Sequence, residues 1–535
     1  MNEHQKLLED WDIAHQAKID AYMVPGKAET KKVKKQEYFD RLMAYKMWYE
    51  GDQWTVRPDG TDMDTSNDIS YPTINFIKTI IDQKAAMLKR RKVSFYTKPV
   101  EEEDVDGSRM ISELLRYIWK KDNIQTKIAL AYKDSLIYGC GIQKVRWDGK
   151  NVTTDVISPL NFYPDKFGYN IDEMRFVHIV YEKTAEYLNW KYKGKKKEEP
   201  DEKGRVVVYE TWYNPSDIYP DGKYFLWTEK QILKEMTLKE LCRKTTQIPI
   251  VVYRHNPSTD SFWGTSDIKT LAEIQLIHNK SLGFILDNLI LTNNAGYKTT
   301  DPKLGETMDN SPGKIYHVDD MNDLQPLATP QINPQWFAIA QYTGYPLFQQ
   351  VSGTYAVNLG GASGTKTSSG IIALQQAGGV LPEADFIDVK ESARKVAKLI
   401  IDYAFDFYTE SEIYSVVDTE VPKSSIDLTK DIFVDFGDTL PDDKIARINL
   451  LSQMLQIGAI NKAQFIEMLD DPTLNKYAKE AQEEVQAQQA QQQQLQQLQQ
   501  AQKQQQLQKG QEDLKSAAES RVANMRQQAK EMQNG

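Results

Sequence analysis

The longest periodic apolar pattern in the chain lies between Ser266 and Phe407. Over Ser266–Ala295, Leu271, Ile274, Ile277, Leu282, Ile285 and Leu289 recur at near-helical spacing. That spacing predicts a long helix, opened by Ser266-Asp267 and closed by Asn293, Asn294 and Gly296. After a stretch punctuated by Pro and Gly, Asn333-Pro334 opens a second helix over Gln335–Val351, which Gly344 and Pro346 should bend. A third helix, capped by Ser368 or Ser369, runs through Leu374, Val389, Val396, Ile400 and Tyr403 to Phe407, with Pro382 expected to kink it near its middle. Between the second and third helices, Gly353–Ser369 holds four glycines, many hydroxyls, one lysine and no acid. Such a segment buries little and costs much to order, which predicts an exposed loop.

Upstream the period changes. Residues 1–48 are charged with a helical pattern, and Pro72–Leu88, Ser108–Lys120 and Gln125–Tyr138 read as helices. Short alternating runs at Val93–Thr97, Ile142–Trp147, Thr153–Ile157, Phe176–Glu182, Val206–Tyr213, Tyr224–Thr228 and Val251–His255 read as strands, separated by turn signals such as Asn214-Pro215 and Asp221-Gly222. Gly139 and Gly141 mark a tight turn from helix into strand. A dinucleotide motif needs the reverse order, so this pair is structural. The class is α+β with a mainly antiparallel sheet.

Between the first two long helices, Lys298–Gln331 carries prolines and glycines around two strand candidates, Lys314–Val318 and Leu324–Leu327. Beyond Phe407 the strand candidates are Tyr414–Asp418 and Asp431–Phe436, followed by a helical pair, Lys444–Ile457 and Lys462–Leu469, hinged at Gly458. Gln486–Gln508 is dominated by glutamine and cannot build a core alone, so it is either disordered or a self-associating helix.

Composition narrows the chemistry. A chain of 535 residues is long enough for several structural regions. Its net charge of −10 argues against wholesale phosphate neutralisation. The basic runs Lys31–Lys35 and Lys89–Lys92 read as solvated helix faces, and Lys191–Glu202 as an exposed charged loop. Cys140 and Cys242 are too few for a disulfide framework or a zinc site. No apolar run reaches membrane-spanning length, which leaves a protein made in the cytosol. Six histidines, at 4, 15, 178, 255, 278 and 317, show no ligand spacing, and His278 is expected on the polar face of its helix. Asp62, Asp64 and Ser66 start an EF-hand spacing, but Asn67 and Thr73 break it. Asp435-Phe436-Gly437 lacks the other kinase motifs. No catalytic residue, metal site or cofactor is assigned.

The order of parts resembles the portal proteins of tailed bacteriophages, the head-to-tail connector family. The resemblance rests on Tyr49-Glu50-Gly51-Asp52-Gln53-Trp54, on Asn75 with its following helix, on Trp263-Gly264-Thr265-Ser266-Asp267 with Gln275, and on the stretch from Val351-Ser352-Gly353 to Ser369-Gly370. It implies a portal fold: an α+β wing over 1–265, a stem helix over 266–297, a small clip over 298–331, a returning stem helix over 332–352 and a tunnel loop over 353–369. A long kinked wing helix with strands then spans 370–440, a helical crown 441–480 and a Gln-rich tail 481–535. It further implies a homo-oligomeric ring of about twelve subunits with double-stranded DNA passing through it. The implied partners are a large terminase motor, a head-completion or tail adaptor protein, and major capsid and scaffold proteins, with no membrane. The implied location is the capsid vertex of the virion, after assembly in the host cytoplasm.

By the same resemblance the channel-facing loop residues are Thr354, Tyr355, Asn358, Leu359, Ser363, Thr365, Lys366, Thr367 and Ser368. The clip contacts are Lys303, Glu306, Lys314, Tyr316, Asp319 and Asp320. Two readings compete with a ring for DNA packaging, retention, ejection and head–tail joining. One is a metal-dependent nucleic-acid-processing enzyme using Asp435, Asp438, Asp442 and Asp443. The other is a scaffold or adaptor driven by the Gln-rich tail.

Overall fold

The computed structural model describes residues 2–20, 38–63, 70–90, 94–97, 105–165, 168–259, 261–293, 296–307, 315, 317–320, 322–327, 333–353, 380–417, 421–423, 432–435, 444–458, 460, 465 and 514–528. They fall in two compact units, Met1–Gly437 and Asp438–Gly535.

The first unit begins with helices α1 (Glu3–Asp20), α2 (Tyr38–Glu50) and α3 (Phe76–Arg90). Asn75 caps α3, its Oδ1 accepting from Lys78 N at 3.0 Å, one of the N–H groups that a helix start leaves without an internal acceptor. Strand β1 (Ser94–Thr97) leads to α4 (Val105–Lys121) and α5 (Ile124–Tyr138). Gly139 ends α5 in the left-handed region, φ 89°, and turns the chain into strand β2 (Cys140–Trp147). A Cβ on Gly141 would lie 1.8 Å from the Ala131 carbonyl oxygen, so the strand starts hard against α5. The two glycines read as structural therefore set a helix–strand approach, as expected.

Strands β3 (Val152–Ile157), β4 (Phe162–Pro164) and β5 (Phe176–Thr184), helix α6 (Ala185–Lys191), and strands β6 (Arg205–Tyr213), β7 (Lys223–Trp227) and β8 (Ile232–Met236) follow. A short helix α7 (Leu238–Leu241) with a Thr237–Glu240 capping box precedes β9 (Ile250–Arg254). The strands form two antiparallel sheets, of order β3-β2-β9 and β4-β5-β6-β7-β8. In the larger sheet alternation divides the faces: Val177, Ile179, Val208 and Trp212 enter the main core, while Phe176, Tyr209, Tyr213, Phe225 and Trp227 form a second core under α1 with Leu7 and Ala14. Lys144 of β2 and Glu210 of β6, 2.8 Å apart and both largely buried, tie the two sheets together.

Helix α8 (Asp267–Asn293), the hairpin β10 (Tyr297–Thr299) and β11 (Leu324–Pro326) with α9 (Pro302–Thr307) between them, and helices α10 (Pro334–Tyr342) and α11 (Tyr345–Ser352) come next. The bend expected at Gly344 and Pro346 is a break: Gly344 is extended and restarts the helix as its N-cap, with Pro346 in the first turn. The long helix Val380–Phe407 lies across β9 and β2, its small residues Ala393, Ala397 and Ala404 allowing close approach, and Ser392 Oγ donates to Val252 O at 3.1 Å. Pro382 is the third residue of this helix rather than a mid-helix kink, in a turn where a missing N–H loses no internal bond.

One strand expectation fails. Tyr414–Asp418 is preceded by a helix, Glu410–Tyr414, because Thr409 and Glu412 form a capping box that outcompetes the apolar alternation. In the 298–331 region the Leu324–Leu327 candidate is present as β11 and pairs with Tyr297–Thr299, while Lys314 and Tyr316 of the other candidate lie outside the described residues. The strand expected over Asp431–Phe436 is present as β12 (Ile432–Asp435) and pairs antiparallel with β1, Ser94 opposite Asp435. In the second unit, Lys444–Gln456 is a helix ending at Gly458, φ 72°, and residues 514–528 form another whose side chains are exposed. The Gln486–Gln508 run and most of 462–469 lie outside the described residues.

Candidate functional site: a two-helix arm on a buried polar base

Helix α8 is the axis of the site. One side of it is buried from Asp267 as far as Ile285 and nothing after Ile285 is, so one helix joins a core to an outward arm. Ser266 caps it as expected: Ile268 N donates to Ser266 Oγ at 3.0 Å, and that hydroxyl donates to Ile137 O at 2.5 Å, fixing the helix start to the end of α5. Gly264 lies against Gly139, and a Cβ there would meet the Gly139 oxygen at 2.3 Å and the His255 oxygen at 2.1 Å.

Two polar groups hold the base. In the first, Asn279 Nδ2 donates to Gln53 Oε1 at 2.7 Å, Gln275 Nε2 donates to Asn279 Oδ1 at 2.9 Å and to Ile74 O at 2.7 Å, and Phe76 N donates to Gln275 Oε1 at 3.1 Å. Gln53 Nε2 donates in turn to Trp48 O and to Asn75 Oδ1, each at 3.2 Å. The residues that carried the family resemblance in three separate segments, Gln53, Asn75 and Gln275, thus form one network. Buried amides satisfied this fully specify a single docking of α8 on α2 and α3.

In the second group, Lys84 of α3 lies 2.8 Å from Asp267 and 3.8 Å from Asp385 of the long helix. His255, just after β9, meets Asp267 at 2.8 Å through Nε2 and Asp385 at 3.7 Å through Nδ1, while Tyr132 OH donates to Asp385 at 3.3 Å. Burial alone would raise the Asp267 pKa, but Lys84 and His255 together hold the carboxyl well below its usual range. Asp388 is pushed upward by burial and by Asp385. No local pattern in the chain pointed to this second group, since it is assembled from five separate places in the fold.

Beyond the base the arm is apolar on the outside. Ile277, Phe284, Leu286, Leu289, Ile290 and Leu291 of α8 and Trp336, Phe337, Ile339 and Tyr342 of α10 are exposed, Leu291 at 58% and Tyr342 at 67%. The two helices meet through Phe284 and Trp336, ring centroids 5.3 Å apart, and α11 returns to the core through Phe348 on Phe76 at 5.1 Å. His278 is buried rather than on a polar face, beside the Phe76 ring at 5.1 Å with Thr343 Oγ1 at 3.5 Å, and burial lowers its pKa. The reason is that α10 and α11 cover the side of α8 that sequence spacing alone left open. Beside α8 an open groove of about 540 Å³ is lined by Arg41, Trp54, Arg57, Lys269, Glu273 and Phe284 among others.

Of the residues expected to contact partners, Lys303 and Glu306 lie on or beside the short exposed α9 and Asp319 and Asp320 on an exposed turn, all at the hairpin end of the arm. Lys314 and Tyr316 lie outside the described residues, as do Thr354, Tyr355, Asn358, Leu359, Ser363, Thr365, Lys366, Thr367 and Ser368. The Lys31–Lys35 run and Asp438, Asp442 and Asp443 are outside them too. Among the described residues no group of three His, Cys, Asp or Glu side chains is placed to hold a metal, and no helix is long and apolar enough to cross a membrane.

Two family models match the chain. One describes the phage SU10 portal protein and matches residues 180–344; the other describes the phage P22-like portal protein and matches residues 298–530. The matches overlap over 298–344, the hairpin and returning helix of the arm. No curated protein matches the chain.

Proposed function

We propose, because the chain belongs to the tailed-phage portal protein family, that it is the subunit of a ring-shaped channel at one capsid vertex. DNA would be packaged, retained and ejected through this ring, and the tail joined to it. The observation that carries the reading is the arm. Two helices anchored by a bonded polar base project apolar faces that are exposed among the described residues. Exposed apolar area of this extent is costly in an isolated chain and is removed when neighbouring copies pack side by side around an axis.

In this reading α8, α10 and α11 form the stem, and the β10–β11 hairpin with α9 forms the clip that meets a terminase motor and then a head-completion protein. Residues 353–369 supply the tunnel loop. A collar with one lysine and no acid gives phosphates little to hold, so duplex DNA slides. The protein does no covalent chemistry, and energy for packaging comes from a partner.

Electron microscopy of the purified full-length protein tests this directly. Closed rings of about a dozen subunits with an axial hole are expected; monomers or dimers that persist at high concentration overturn the proposal. Lys366→Ala should leave rings intact and change DNA retention, and loss of assembly would remove Lys366 from the channel.

A further inference from the structure

The charge run after α6 is not a loose solvated loop. Asn189 brackets it, its Oδ1 accepting from Glu198 N at 2.9 Å and its Nδ2 donating to Glu198 O at 3.3 Å. Gln231, at the β7–β8 turn, accepts from Lys196 N at 3.0 Å and donates to Lys196 O at 2.7 Å. The Glu198 carboxylate is turned inward and buried, receiving Thr228 Oγ1 at 2.9 Å and Gln231 Nε2 at 2.6 Å. Six hydrogen bonds therefore hold this loop in one shape. Ordering a lysine-rich segment in this way costs conformational entropy.

The fixed loop presents Lys193, Lys195, Lys196 and Lys197 to solvent. Among the described residues none of the four has a carboxylate within ion-pair distance. Neighbouring acids are already engaged: Glu199 pairs with Lys230 at 2.7 Å and Asp201 with Arg205 at 3.6 Å. Immediately before the loop, Tyr187 and Trp190 stand on one face of α6 with ring centroids 6.2 Å apart, and Trp190 is 67% exposed. A fixed set of free cations beside an open aromatic pair, on a chain that is acidic overall, is complementary to a polyanion that also carries flat rings. Lysine is depleted at protein interfaces but serves as a point charge for phosphate. Aromatic faces beside such charges take unpaired bases.

We propose that α6 and residues 192–197 form a binding surface for a single nucleic-acid strand, the lysines taking phosphates and the outer face of Trp190 and Tyr187 taking an unpaired base. This surface lies on α6 and its following loop, outside α8, α10 and α11, and the proposal does not depend on the channel reading.

The test is fluorescence anisotropy of a labelled 20-nucleotide oligo(dT) with the full-length protein between 50 and 200 mM KCl. The comparison is with Trp190→Ala and with the combined variant Lys193→Gln, Lys195→Gln, Lys196→Gln and Lys197→Gln. None of these changes touches Asn189, Glu198 or Gln231, so the loop keeps its shape. The four-lysine variant should lower the slope of log affinity against log salt by about 3. Trp190→Ala should weaken binding by about tenfold. An unchanged slope, an unchanged affinity for Trp190→Ala, or no binding at 50 mM KCl overturns the proposal. So does duplex DNA of equal length binding as tightly as oligo(dT), which would make the surface a lysine-only contact. Displacement of oligo(dT) by poly-L-glutamate at equal charge concentration would instead assign the surface to an acidic protein.

Discussion

Lys84 and Asp267, 183 residues apart in sequence, lie 2.8 Å from each other in the interior, and helix α8 starts at that contact. Through Asp385 and His255 the same site also holds the first buried turns of the long helix Val380–Phe407.

Removing Lys84 leaves the buried Asp267 carboxylate with His255 as its remaining partner. Lys84→Met is expected to cost about 3–5 kcal/mol in urea denaturation at fixed protein concentration, and Lys84→Met with Asp267→Leu to recover most of it. A single variant that loses less than about 1 kcal/mol would show that water reaches the site.

The amide network makes a smaller, local prediction. Gln53→Ala strips partners from Asn279 and Asn75, and should cost about 1–3 kcal/mol. Hydrogen exchange should rise in the first turns of α8 while the five-stranded sheet keeps its protection; uniform change across both would mean that the network does not act locally.

Close backbone approach just before α8 predicts intolerance of any side chain. Gly264→Ala places a methyl 2.1 Å from the His255 oxygen. A loss of about 3 kcal/mol or more in denaturation is expected, and wild-type stability would contradict the packing of Gly264 on Gly139.

Three of the six histidines line the seam between α1 and the sheet: His4 edge-on to Trp227, His15 against Trp11 and Tyr163, and His178 under Trp11. Asp10 and Tyr213 bond across the same seam at 2.6 Å, and Tyr209 also faces it. Burial pushes His178 down to about 3 from an ordinary 6.5. Its docked form is therefore neutral, and docking of α1 is at full strength above pH 6.5 and lost as pH falls toward 3. Between pH 7.5 and pH 5 the docking equilibrium should weaken about 30-fold. Hydrogen exchange of residues 3–20 should report it, and His178→Phe should remove the His178 share of the pH dependence. Equal protection of α1 at both pH values in the wild type would sink the idea.

The exposed arm predicts assembly without stability. Leu286→Ser, Leu289→Ser and Ile290→Ser together should leave the protomer's own stability within about 0.5 kcal/mol per site and abolish rings in light scattering. Rings that survive would move the subunit contact elsewhere, the groove beside Trp54 and Lys269 being the next surface to change.

The sequence by itself determined what local physics controls. Apolar spacing placed α8 and its Ser266 cap, alternation placed most strands of both sheets, and Gly139 with Gly141 fixed the turn between α5 and β2, because each depends on residues within a few positions of one another. It also carried the family through Gln53, Asn75 and Gln275 without revealing that they touch. Only the tertiary structure decided that contact, the buried state of His278, the ion group at Lys84, and the pairing of β1 with β12, since all of these join segments far apart in the chain. It also decided where local signals misled, at Tyr414 and Pro382, where a capping box and a helix start outweighed the pattern. Hydrophobic period says which face of an element is buried; which element covers that face, and which polar groups then need one another, is settled by packing.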